Sequence, residues 1–292
     1  MIWLSNLFLD KEQRLRGACK AFVFLVLCSL FAFLLRFPAS VLQFFLNREA
    51  SSFDFRLGLL STCLGSIFVT WICCSIEGVP FRSVGYRLNR KWLQQCLVGC
   101  LLGLLVMVGT ALALWSLGGV HWIWTPKVFL SGLPFGLPYF LMVAIHEETV
   151  YRGYAFQRLG HDMGSWQSLA IMSLLFVFAH WNNPGMSGSM RIIASLNIGL
   201  ASILLGLAYL RTESLAMPIG IHFGWNWAQG SLLGFGVSGT GFAHGIWTPA
   251  LAAKPHWITG GDFGLEGSLL CAPICLLAIA ALFLRKRTEI EA

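Results

Sequence analysis

Six side chains define the chemistry open to this chain: Glu147, Glu148 and Arg152 in one apolar stretch, His180 in the next, and His222 with Asn226 in a later one. Each interrupts a hydrophobic run, where an ionisable group costs roughly 2.5–3.5 kcal/mol on insertion scales and so marks function by default. Spacing sorts them. On a helix, Glu148 and Arg152 lie four apart, share a face and can pair, which lowers the cost of placing both in an apolar medium. Glu147 is turned by about 100° from Glu148 and meets Tyr151, not a cation, one turn on. It is the carboxylate suited to acid–base work. His222 and Asn226 are again four apart and project from one face, where Gly220 and Gly224 could let a neighbour or a peptide come close. His146 and Asn197, each alone on its stretch, read as hydrogen-bonded packing groups.

The elements that must position these groups are membrane spans. The 292 residues are 57% hydrophobic and 11% charged, against roughly 45–50% and 25% for a soluble domain. About 20 apolar residues cross the hydrocarbon layer, and eight such spans are predicted near 19–36, 57–76, 93–116, 128–157, 166–182, 192–210, 214–235 and 267–284. The fold class is therefore all-α, a polytopic transmembrane bundle. The segments between spans are too short to fold alone, so residues 1–292 read as a single membrane domain.

Orientation follows from the cations, since Lys- and Arg-rich segments stay in the cytoplasm. With both termini inside, only Arg36, Arg48, Arg56, Lys127, Arg191 and Lys254 fall on outer segments, six of the 20 Lys and Arg, leaving 20 − 6 = 14 inside. That bias accounts for the net charge of +7 without a nucleic-acid partner. The first apolar run lies too far from the start for a cleaved signal and reads as an uncleaved anchor. Nine cysteines, an odd number with no C-x-x-C pair, read as buried small hydrophobes. The basic segment 81–87 is placed on the inner surface before the third span.

Three further patterns concern packing. Gly99-x-x-x-Gly103 and Gly220-x-x-x-Gly224 set small residues one turn apart, which lets helix backbones approach closely. Ile-Trp-Thr-Pro occurs at 123–126 and again at 246–249; its tryptophans fit membrane interfaces better than an internal duplication. Residues 236–266 form a long, Gly-rich extracytoplasmic loop, either folded over the protein or mobile. A fourth span running to Arg158 places Glu147 ~16 Å from its inner end, with His222 ~12 Å and His180 ~21 Å deep, so all three reach one middle slab.

Together, Glu147-Glu148-x-x-x-Arg152, Phe176-x-x-x-His180 and His222-x-x-x-Asn226 resemble the three motifs of the CPBP (CAAX protease and bacteriocin-processing, or Abi) family of intramembrane proteases, which includes the type II CAAX prenyl endopeptidases. The flanking Tyr151-Arg152-Gly153-Tyr154 and the run from Arg211 to His222 agree with bacterial members. The resemblance covers about 80–235, a catalytic core. It implies that Glu147 and His180 activate water while His222 and Asn226 stabilise the oxyanion; Glu148 and Arg152 are structural by their spacing. An apolar surround raises a glutamate toward general-base range, and neutral donors preset around an oxyanion in a low dielectric are worth several kcal/mol.

The expectation is a metal-free site, because H-E-x-x-H is absent: Val150 stands where the second histidine belongs. If zinc is the cofactor instead, its ligands are Glu147, His180 and His222. The expected function is an intramembrane endopeptidase in the bacterial inner membrane, acting on a membrane-associated or C-terminally processed peptide. Its rivals are a non-catalytic membrane factor, such as a bacteriocin-immunity or scaffold protein, and a transporter. A transporter should show repeat symmetry, and none is evident.

Overall fold

A computed structural model of the chain describes residues 8–9, 15–45, 52–240 and 245–284. The two ends lie outside the described residues, and with them Lys11, Arg14, Arg48, Arg285, Lys286 and Arg287, which enter the orientation argument. The described residues are predominantly helical. In order they are α1 (Gly17–Phe45), α2 (Ser52–Ile76), α3 (Arg90–Ser116), β1 (Val120–Trp124), α4 (Pro126–Arg152), α5 (Tyr154–Met163), α6 (Ser165–His180), α7 (Gly188–Thr212), α8 (Ala216–Trp227), β2 (Trp247–Leu251) and α9 (Cys271–Leu284). Among them Gly17–Phe37, Gly58–Ile76, Arg90–Ser116 and Gly188–Thr212 are long and apolar enough to cross a membrane. The remaining apolar helices α6 and α9 are shorter.

Four helices of spanning length among the described residues fall short of the eight spans expected, and two of the expected stretches take another form. The fourth stops at Arg152 because Gly153 leaves helical geometry, and a new helix, α5, begins one residue later. A Cβ on Gly153 would lie 2.4 Å from the Thr149 carbonyl oxygen, so only glycine permits this break. Glu147 is thus five residues from its helix end, ~8 Å at the helical rise, and not the depth a continuous helix implies. The seventh span is a short α-helix that passes at Ala228 into a π-helical turn, Ala228–Leu232.

Contacts divide the chain into two compact units. The first comprises Met1–Arg87 and Met142–Ala170. Here Gly17 allows α1 to meet the Arg158 carbonyl, which an added Cβ would contact at 1.8 Å. The Ala18 N–H donates to Asp162 at 2.9 Å, and the Phe24 and Tyr154 rings lie 5.2 Å apart. Glu77, just past α2, receives Lys20 Nζ at 2.8 Å and Arg158 Nε at 2.7 Å. Burial pushes its carboxyl up, but the hydrogen bonds from Lys20 and Arg158 outweigh this and hold it below the usual carboxylate value. The segment 81–87 keeps Arg82 and Arg87 exposed while packing against its own unit. Its Phe81 and Tyr86 rings stack 5.2 Å apart, the Tyr86 hydroxyl bonds Thr149 on α4, and Gln157 Nε2 on α5 donates to the Ser83 carbonyl at 2.8 Å.

The second unit comprises Leu88–Leu141 and Ile171–Ala292. Asn89 starts α3 by accepting the Trp92 N–H at 2.8 Å, satisfying one of the orphan donors of a helix start. The two glycine pairs pack against each other. A Cβ on Gly99 or Gly103 would lie 2.3 Å from Met217 O or 2.0 Å from Ile221 O, and one on Gly220 or Gly224 would lie 2.0 Å from Cys96 O or 2.1 Å from Cys100 O. The space beside Gly220 and Gly224 is therefore filled by α3 and is not open to a peptide. Met107, Leu114, Leu204, Ile221, Trp225 and Cys275 form the surrounding core. All nine cysteines of the chain are free thiols.

This contact makes a prediction. Gly220→Ala forces α3 and α8 apart, and overpacking of this kind costs about 1–3 kcal/mol, occasionally more. The variant is expected to melt below the wild type in detergent. An unchanged melting temperature would show that the backbones are not this close.

The repeated Ile-Trp-Thr-Pro marks a pairing. β1 and β2 form a two-stranded antiparallel ribbon in which Ile123 opposes Thr248 and Trp124 opposes Trp247. The Thr125 N–H completes it by donating to the Ile246 carbonyl at 3.2 Å. The two indoles meet edge-on at 4.9 Å, and the Thr125 and Thr248 hydroxyls bond at 2.8 Å. The described part of the 236–266 segment is folded in. Gln229 Nε2 holds the Gly236 carbonyl at 2.9 Å, the Gly239 N–H donates to Phe263 O at 3.1 Å, and Phe263 and Leu265 are buried.

Candidate functional site

Within the second unit α6, α7, α8 and the 236–268 segment surround one cavity, and His180, His222 and Asn226 all line it. Its further polar groups are Asn197, Ser238 and Glu266; Phe176, Leu204, Leu205 and Trp225 are among its apolar walls. About 30 Å³ is open to the centres of water molecules, against roughly 10–15 Å³ for one molecule. The cavity is large enough for a reacting water.

His180 is the last residue of α6, and its Nδ1 lies 2.8 Å from the Phe176 carbonyl oxygen one turn back. A carbonyl only accepts, so Nδ1 carries a hydrogen, and Nε2 is the ring nitrogen left to face the cavity chemistry. That carbonyl is backbone and would be there with any residue at 176; what phenylalanine itself contributes is its ring. The Phe176 ring also lies 4.6 Å from His180 and, edge-on, 6.3 Å from His222. His222 and Asn226 are both buried and occupy successive turns of α8, whose other face is held by α3 through Gly220 and Gly224. Donors fixed in a mostly apolar wall keep their orientation when charge develops nearby.

Glu147 belongs to the first unit, half-buried on α4. Beside it in sequence the expected pair is formed: Arg152 Nη1 lies 3.0 Å from Glu148 Oε1, with both side chains almost wholly inaccessible. His146 packs as expected, its Nδ1 3.2 Å from Ser66 Oγ. Asn197 donates through Nδ2 to the carbonyls of Glu266 at 2.7 Å and Ser268 at 2.8 Å, and so joins a helix to the long segment as well as lining the cavity.

Glu266 was missed by sequence reasoning. It sat at the end of a stretch read as an extracytoplasmic loop, where a carboxylate is fully solvated and unremarkable. The signal was its setting, between Phe263 and Leu265 on one side and an apolar span on the other. For a metal, no group of three or more His, Cys, Asp or Glu among the described residues stands close enough to act as a ligand set. The carboxylate in the cavity wall, Glu266, has its oxygens engaged by Trp225 and Ser238.

Fold and site together define a helical membrane protein with a water-sized cavity between its helices, mostly apolar in its walls and lined by a few convergent polar groups. Residues 128–228 match the family model described as Type II CAAX prenyl endopeptidase Rce1-like, a protease family, and the resemblance read from the three motifs is thereby shown. The match is narrower than the 80–235 expected and covers well under half of the chain, but it contains Glu147, Glu148, Arg152, His180, His222 and Asn226. No curated protein and no solved structure matches the chain.

Proposed function

We propose that this protein is an intramembrane endopeptidase in which Glu147 and His180 activate water and His222 with Asn226 holds the oxyanion. The observation that carries the reading is the convergence of His180, His222 and Asn226 on one buried cavity that accommodates water. His180, with Nδ1 committed to Phe176, offers Nε2 as a proton acceptor. Asn226 has no titratable proton and serves as a fixed amide donor, the role an oxyanion requires. The base role of Glu147 comes from its motif position. The reaction is proposed to need no metal. The substrate class is a membrane-associated or C-terminally processed peptide, in keeping with what the matched family's description names.

The test is to compare the peptides of cells producing the wild type with those of cells producing Glu147→Ala. Uncleaved precursors should accumulate with the variant. Identical profiles would sink the hydrolase reading and favour a non-catalytic membrane factor.

The protein is further proposed to be a multi-pass protein of a bacterial inner membrane with both termini in the cytoplasm, on the distribution of Lys and Arg. In a background freed of reactive native cysteines, a membrane-impermeant thiol reagent applied from outside should label Ala253→Cys and spare Arg287→Cys. The opposite labelling would invert the topology.

A further inference from the structure

Part of the cavity wall comes from beyond the matched segment, from Ser238 and Glu266 between α8 and α9. Glu266 is a buried carboxylate, 6% exposed. One oxygen accepts from Trp225 Nε1 at 2.8 Å; the other accepts from the Ser238 N–H at 2.9 Å and from Ser238 Oγ at 2.7 Å. Its backbone is held as well, since Asn197 Nδ2 donates to its carbonyl at 2.7 Å. A charge this deep persists only where such donors replace water.

The partner Trp225 gives this anchor its meaning. It stands on α8 three residues after His222 and immediately before Asn226, and the helix changes to π geometry at Ala228. α3 holds one face of α8 at Gly220 and Gly224, and past Trp227 a π turn interrupts the α ladder. The indole–carboxylate bond adds a second anchor at the cavity, one residue from Asn226. We propose that Glu266 is a positioning residue of this site: by holding the Trp225 indole it fixes, together with the α3 contact, the rotation of α8, and so the aim of His222 and Asn226 into the cavity. The long segment then contributes a working part of the site. The catalytic consequence rests on the endopeptidase reading; the positional claim does not.

Glu266→Met tests it with little change of size. A carboxylate accepts on both sides, whereas a thioether is only a weak acceptor and gives Trp225 Nε1–H no comparable partner. Trp225→Phe removes the same link from the other end. The wild type, both single variants and the double variant are purified and compared on a fluorescence-quenched peptide with a farnesylated C-terminal tail. Carbethoxylation of His222 by diethyl pyrocarbonate is mapped in parallel, with the exposed His161 as the internal reference.

Each single variant is expected to lower kcat by up to about 100-fold, as a small misplacement of reacting groups does, with KM little changed. The double variant should be no worse than the poorer single one, because both cut one link, and His222 modification should speed up relative to His161. Losses that multiply, a change confined to KM, or wild-type kcat with only a lower melting temperature would overturn the proposal. If the wild type leaves the peptide uncleaved, it is the endopeptidase reading that fails for this substrate. His222 reactivity then decides the inference, and an unchanged rate in both single variants rejects it.

Discussion

Alanine at Glu147 or at His180 is expected to remove nearly all peptidase activity while the protein still folds and melts as the wild type does. A positioned general base contributes on the order of 10²–10⁴ in rate, and both residues are assigned to the proton that leaves water during attack. His180 suits that task because its Nδ1 hydrogen is committed to the Phe176 carbonyl at 2.8 Å, which leaves Nε2 as the acceptor. Asn226→Ala removes one oxyanion donor and keeps the base, so a smaller loss, on the order of 10²–10³ in turnover, is expected. Exhaustive chelation should leave the wild type active. Cleavage abolished by chelation and restored by zinc alone would reassign Glu147, His180 and His222 as ligands and end the metal-free mechanism. Full activity in Glu147→Ala would remove that residue from the chemistry altogether.

The second large effect is structural. Arg152→Ala deletes the cation that sits 3.0 Å from the Glu148 carboxylate, in a pair whose side chains are 1% and 0% exposed. Removing one partner of a buried pair leaves the other charge without compensation and costs about 3–5 kcal/mol. Arg152 is also the last residue of α4, where a cation favours the helix dipole. A sharp drop in melting temperature and membrane yield should follow. Replacing both partners, as in Glu148→Gln with Arg152→Met, should recover part of the loss, because no lone charge remains buried. An Arg152→Ala protein with wild-type stability and no activity would show instead that Arg152 acts on substrate.

Features that depend on one helix or one short pattern were legible from the residues alone. Glu148 and Arg152 pair because a four-residue step returns to the same helix face. His222 and Asn226 share a face for that reason too. The glycine pairs announced a close backbone contact, since nothing but hydrogen projects from them, although the letters could not say that each pair was the other's partner.

What the tertiary structure decided is whatever joins residues far apart along the chain. The break at Gly153 lies between two stretches that each carry a helical pattern, with Tyr154, Ala155, Phe156 and Leu159 continuing an apolar face after it, so periodicity passes over it. The twin Ile-Trp-Thr-Pro segments look like a duplication, yet they are strands paired across 123 positions, from Thr125 to Thr248. Glu266 reaches Trp225 across 41 positions, and no periodicity links a loop carboxylate to a helix indole. Whether a charge is solvated or buried is a property of what packs around it. Composition determined that this chain lives in an apolar medium and which side chains are costly there; packing alone determined that a carboxylate outside the motifs bonds the helix that carries His222 and Asn226.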